Sequence, residues 1–227
     1  MKPILLAAAF VLLAAGAAMA APNTLTPQEQ AAGWRLLFDG KSLDGWRGFK
    51  APAPDPGWHV ADGALSPDPK ASKDIISKDE FASFELSFEW KISKLGNSGV
   101  MYHVIEQGDE TYESGPEYQI LDNAHGEKPP QQAASLFALY APLVDATRPV
   151  GEWNEARLVV DHNHVQHWLN GKKVLEYDLS SDEFKARVAA SKFKAWPQFA
   201  SSPTGHIALQ NHGDAVAFRS LKIRVLK

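Results

Sequence analysis

Several side chains in this sequence have the types that proton transfer needs, and strand alternation can bring them to one surface. In Glu117-Tyr118-Gln119-Ile120, the apolar Tyr118 and Ile120 make one face of a strand and leave Glu117 and Gln119 on the other. The same rule turns Val100 and Tyr102 inward and His103 outward. Between His206 and His212, Ile207 and Leu209 face inward, so Gln210 and His212 share the polar side. Phe84 to Ile92 alternates throughout and puts Glu89 on its non-core face. A carboxylate or imidazole on such a face can act as a base, and amides or imidazoles beside it can hold a developing negative charge. Glu89, Gln119 and His212 also form an oxygen-rich set with one imidazole. That set suits a divalent ion such as Ca, Mg or Mn, with Zn also possible. Arg219 can bind a hydroxyl or carbonyl oxygen, or form a buried salt bridge, because Leu221, Ile223 and Val225 mark its strand as core. Trp46 and Trp58 each follow a glycine in loop-rich sequence, where an indole can stack on a sugar or pack as a lid. Asn97 and Ser98 belong to a polar turn that can line the rim of a site or simply make the turn. His162, His164 and His167 crowd a hairpin; an exposed tip fits their spacing better than shared metal ligation.

The elements that position these residues read as strands almost throughout. Strands are predicted over 84–92, 99–105, 117–122, 153–161, 165–169, 172–179, 206–211 and 215–226. Asn170-Gly171 is the signature of a type I′ hairpin turn. Thr26-Pro27-Gln28-Glu29 and Ser180-Ser181-Asp182-Glu183 read as capping boxes of two short helices. Pro52, Pro54 and Pro56 mark a loop. Many short strands with little helix predict an all-β chain folded as one antiparallel β-sandwich or jelly roll. A jelly roll is curved, and its concave face could gather Glu89, His103, Glu117, Gln119, Gln210 and His212.

Composition narrows the chemistry. The chain has 227 residues with 7 Trp and 0 Cys, so disulfides, thiolate metal sites and cysteine nucleophiles are excluded. A formal charge of −4 gives no footprint for nucleic acid. Lys2 precedes an apolar run that ends in Ala18-Met19-Ala20, the pattern of a cleaved secretory leader over residues 1–20. The expected product is a secreted, periplasmic protein without a membrane anchor. A short helix and linker occupy 21–33, and one domain fills 34–227. Nucleotide-binding glycine loops, the GxSxG elbow and HExxH are absent.

Eight phrases occur in a fixed order. They are Phe38-Asp39-Gly40-Lys41-Ser42-Leu43 with Gly45-Trp46, Trp58-His59-Val60 through Gly63, Phe84 to Trp90, and Asn97-Ser98-Gly99. Glu117-Tyr118-Gln119-Ile120-Leu121-Asp122-Asn123, Gly151-Glu152-Trp153-Asn154, His167-Trp168-Leu169-Asn170-Gly171 and Leu209-Gln210-Asn211-His212-Gly213 running to Phe218-Arg219 complete the set. Together they resemble the 3-keto-disaccharide hydrolase family from Trp34 to the C-terminus. The resemblance implies a concanavalin A-like jelly roll and a carbohydrate substrate oxidised to a ketone at carbon 3. Three positions depart from the family pattern: Asn211 stands for Asp, Ser220 for Asn, and His103 for Arg. A ketone at carbon 3 acidifies the proton on carbon 2. Its removal gives an enolate that expels the group on carbon 1, and water addition completes net hydrolysis. That route needs one base and one electrophile, not the two opposed carboxylates of ordinary glycosidases. The expected base is His103 or Glu117. Glu89, Gln119 and His212 would hold a metal or the enolate, and Trp46, Trp58, Asn97, Ser98, Gln210 and Arg219 would bind sugar. The alternative is a lectin-like binding module that uses Trp46 or Trp58 as its platform.

Overall fold

The computed structural model describes residues 21–70 and 73–227. The expected leader, residues 1–20, lies outside them. Thirteen strands form the described chain: β1 (Arg35–Leu36), β2 (Trp46–Gly48), β3 (Trp58–Ala61), β4 (Ala64–Pro67), β5 (Ile75–Ser77), β6 (Phe84–Ile92), β7 (Asn97–Val104), β8 (Glu117–Leu121), β9 (Asn154–Asp161), β10 (His164–Leu169), β11 (Lys172–Asp178), β12 (His206–Leu209) and β13 (Val216–Val225). Two short helices, α1 (Pro27–Ala31) and α2 (Asp182–Ala189), complete the pattern. One sheet runs β11-β10-β9-β6-β13-β4-β3 with β1 added to β13, and the other runs β2-β5-β12-β7-β8. The paired strands are antiparallel, and the architecture is the expected β-sandwich.

Alternation builds the core. Phe84, Leu86, Phe88 and Trp90 of β6 are buried, and so are Val100, Tyr102, Tyr118, Ile120, Ile207 and Leu209 of the second sheet. Phe88 meets Tyr118 edge-on across the sheets at 5.6 Å. Each such large apolar side chain contributes about 1.5–3 kcal/mol by leaving water. Asn170 and Gly171 both have positive φ, as the I′ turn requires. Thr26 and Glu29 form the expected capping box of α1. At α2 the cap is Ser181, whose hydroxyl accepts from the Phe184 amide at 3.1 Å, while the Ser180 hydroxyl donates to Asp178.

Three sequence expectations change here. Trp46 and Trp58 are core residues: their rings are buried, and their ring nitrogens donate to the carbonyls of Leu37 (2.9 Å) and Lys73 (2.6 Å). His162 and His164 do lie exposed beside the hairpin, but His167 is fully buried. A carbonyl can only accept, so His167 donates from Nδ1 to Ala134 (3.0 Å). Its Nε2 then accepts from the Tyr177 hydroxyl (3.0 Å), which accepts from Tyr102 (2.8 Å). Burial lowers the His167 pKa to about 4, so the ring is neutral.

Candidate active site

The candidate site lies on the outer face of the five-stranded sheet. Register pairs Met101 with Glu117, Gly99 with Gln119, and Ala208 with Met101. The Gln210 amide donates to the Gly99 carbonyl at 3.0 Å, which extends the ladder one residue past β12. The row Gln210–Gly99–Gln119 therefore crosses three strands, with the Glu117 row beside it. Gly99 has a steric reason to be glycine, since a Cβ there would stand 2.1 Å from Glu117 Oε1. The Glu117 side chain lies in the space that Gly99 leaves open.

A cavity of 210 Å³ sits on this row. Glu117, Gln119, Gln210, His212, Tyr112 and Lys192 line it, together with Asn97 and Phe137. Gln119 donates from its amide to Asn97 Oδ1 at 3.1 Å. The side-chain oxygens of Gln119 and Gln210 are buried and have no partner among the described residues. Such acceptors are costly to leave unpaired and ready to take a ligand hydroxyl. Lys192 opens the short 3-10 turn Lys192–Ala195 after α2, a turn held by Phe193 in the core. Its ammonium lies over the rings of Phe137 (4.7 Å) and Tyr112 (5.1 Å).

Burial drives the electrostatics. Taking the Glu117 carboxyl out of water pushes its pKa up to about 8; the Lys192 charge opposes this, and the Asp74 carboxylate adds to it. Asp74, just before β5, is itself pushed up to about 6 by burial. It accepts from the Thr111 hydroxyl (2.5 Å) and the Asn211 amide (3.0 Å). One carboxylate thus ties down the neighbours of Tyr112 on one side and of Gln210 and His212 on the other. Neither Asp74, Tyr112 nor Lys192 is among the expected site residues. Asp74-Ile75-Ile76-Ser77 has no polar–apolar alternation to mark Asp74; in the fold Ile75 joins the main core and Ile76 the outer-face cluster with Met101 and Ala208. No local pattern marks Lys192, which arrives through a tertiary contact.

The structure gathers Glu117, Gln119, Gln210, His212 and Asn97, and separates the others. Ser98 points to the core side, where its hydroxyl donates to the Gln210 carbonyl (2.8 Å) and fixes that strand end. His103 sits at a bulge: Val104 pairs with His206 while Met101 pairs with Ala208, and His103 takes φ +52°. The extra residue turns its ring inward, edge-on to Phe84, and Nε2 donates to the Ala82 carbonyl at 2.8 Å. Burial lowers its pKa. Glu89 and Arg219 stand opposite each other on β6 and β13, in the other sheet. Glu89 accepts from Arg219 Nε (2.9 Å) and the Ser220 hydroxyl (2.8 Å), and the guanidinium covers Trp153 at 4.1 Å. The expected metal set of Glu89, Gln119 and His212 therefore does not assemble. Among the described residues no three His, Asp or Glu side chains come together with ligand spacing.

Size alone does not select the site. A cavity of 520 Å³ opens between His59, Lys91 and Ala215, and no carboxylate lines it. Another of 330 Å³ contains Asp122 and Asp145, whose oxygens already accept from backbone amides, Asn123 and Thr147, and Glu152, which is exposed to water.

Comparison with known proteins agrees with this architecture. A 3-keto-disaccharide hydrolase of Bacteroides thetaiotaomicron is 34% identical over 228 positions, covering 86% of this chain and 79% of that protein. A crystal structure from Parabacteroides distasonis, provisionally described as a glycosyl hydrolase, matches with a TM-score of 0.85 and 34% identity over 91% of this chain and 100% of that one. A carbohydrate-binding module of Bacillus subtilis, with a TM-score of 0.51 at 13% identity, covers 79% of this chain and 95% of its own and shares the fold alone. The model of one family covers residues 33–224, and the chain belongs to that family, the 3-keto-alpha-glucoside-1,2-lyase-like domain.

Proposed function

We propose that this protein cleaves the glycosidic bond of a 3-keto-glycoside by elimination followed by hydration, with Glu117 as the base. The observation that carries the proposal is a buried carboxyl of raised pKa with no hydrogen-bond partner among the described residues, in a cavity that also holds an ammonium group. Ionised Glu117 takes the proton from carbon 2. The electron pair becomes an enolate whose oxygen is the former carbon 3 carbonyl, and Lys192 and His212 supply positive or hydrogen-bonding character for it. Collapse of the enolate breaks the bond between carbon 1 and the leaving oxygen. The Glu117 proton exchanges with solvent, water adds its hydroxide at carbon 1 and its proton passes to the departed oxygen, and Glu117 delivers a solvent-derived proton to carbon 2. Gln119 and Gln210 accept from sugar hydroxyls and hold the ring.

A lectin reading loses its platform, because Trp46 and Trp58 are core residues. An opposed-carboxylate glycosidase needs a second free acid, and Asp74 is engaged by Thr111 and Asn211. The leader-like residues 1–20 support action in the periplasm. The test is a turnover assay with a 3-keto-disaccharide. Wild type should release monosaccharide, and Glu117→Gln should lower kcat by about 10²–10⁴. An unchanged rate in E117Q would remove Glu117 from the reaction.

A further inference from the structure

The cavity beside Glu117 encloses 210 Å³. A pyranose ring displaces about six waters, roughly 180 Å³ at about 30 Å³ each. The cavity therefore holds one sugar ring and not two. A disaccharide with its ketone ring at Glu117 must place the other ring elsewhere on the same face.

An adjoining space exists. A second cavity of 480 Å³ is lined by Phe49 after β2, Lys73 and Asp74 before β5, and Glu110, Thr111 and Asn211. The two cavities are lined by chain neighbours. Thr111 faces one and Tyr112 the other, and Asn211 alternates with Gln210 and His212 in the same way. Asp74 lines the second cavity, where it bonds Thr111 and Asn211, and its charge acts on Glu117 in the first. The first cavity overlies β8, β7 and the end of β12, and the second lies at the end of β2 and the start of β5. With about 4.8 Å between neighbouring strands, the five strands span roughly 19 Å, enough for two rings laid across them. The lining of the second cavity suits a sugar: Phe49 gives an apolar patch, packed on Ile76 and Met101, and exposed Lys73 and Glu110 give a donor and an acceptor.

We infer that the 480 Å³ cavity is the subsite for the leaving sugar of a 3-keto-disaccharide. This rests on the reading of Glu117 as the base. Lys73 donates to, and Glu110 accepts from, hydroxyls of the second ring, so binding energy gathered there aligns the bond that breaks beside Glu117.

The test is the double variant Lys73→Ala/Glu110→Ala, measured with a 3-keto-disaccharide and with a methyl 3-keto-glucoside that lacks the second ring. Two lost hydrogen bonds should lower the disaccharide-to-methyl ratio of kcat/KM about tenfold. In an E117Q background, calorimetry should show about tenfold weaker binding of the intact disaccharide. Unchanged ratio and unchanged binding would overturn the subsite, even if both substrates are cleaved. Weakened binding in a protein whose wild type cleaves neither substrate would support the subsite and count against Glu117 as the base.

Discussion

Glu117 works as a base only when ionised, and its surroundings oppose ionisation. Its pKa of about 8 means that activity should climb as pH rises toward 8 and level off above it. The Asp74 carboxylate is part of the cause, so Asp74→Asn should shift the climb to lower pH. The amide of D74N can still accept from the Asn211 amide and donate to Thr111, so the geometry survives while the charge is lost. Asp74→Ala removes both and should also raise KM. A pH–rate profile of each variant separates the two effects; an unmoved profile in D74N would remove Asp74 from the electrostatics. At this scale the sequence is partly legible. Glu117, Gln119 and Gln210 follow from alternation with the apolar residues of their strands, and His212 from carrying the Gln210 register past Asn211. His103 does not, because a bulge changes which way a side chain points and leaves no signature in residue type. Trp46 and Trp58 mislead for a different reason: an indole beside glycine fits a loop and a core equally well.

Strands account for what can meet. Glu89 alternates as cleanly as Glu117, yet β6 belongs to the eight-stranded sheet and β8 to the other, so their polar faces look out from opposite sides of the sandwich. Periodicity assigns a face within a strand but not a sheet to the strand, which depends on long-range pairing. Short β2 and β5 escape sequence reading for lack of a period, and with them Asp74 and the second cavity. The close approach of β7 and β8 at Gly99 is testable. Gly99→Ala would collide with the flexible end of Glu117, so the carboxyl should move while the fold persists. We expect at least about a tenfold loss of kcat with a change in stability of about 1 kcal/mol or less. A thermal melt beside the rate measurement would expose the opposite outcome, a collapse of stability with unaltered specific activity.

The whole molecule balances two buried groups with opposite pH dependence. His167 has its pKa depressed to about 4, so the unfolded chain takes up a proton first as pH falls below 6.5. Stability from this group is lost between there and pH 4, about 2 kcal/mol of it by pH 5. Glu117 has its pKa raised, so its contribution is full below 4.5 and is lost as pH rises through about 8. Between pH 7 and 5 the two nearly offset. Denaturant unfolding should show E117Q losing about 2 kcal/mol more than wild type over that interval. Parallel pH curves for the two proteins would mean that Glu117 is not held neutral by the fold. The sandwich was the most legible feature, because β6 and the Asn170-Gly171 hairpin state their conformation in their own residues. The reaction itself is tested most directly by running cleavage of a 3-keto-disaccharide in D₂O and following carbon 2 of the released 3-keto sugar against uncatalysed exchange. Elimination and hydration through Glu117 predict one deuterium at carbon 2 per turnover in wild type; product released with its original carbon 2 hydrogen would contradict the account.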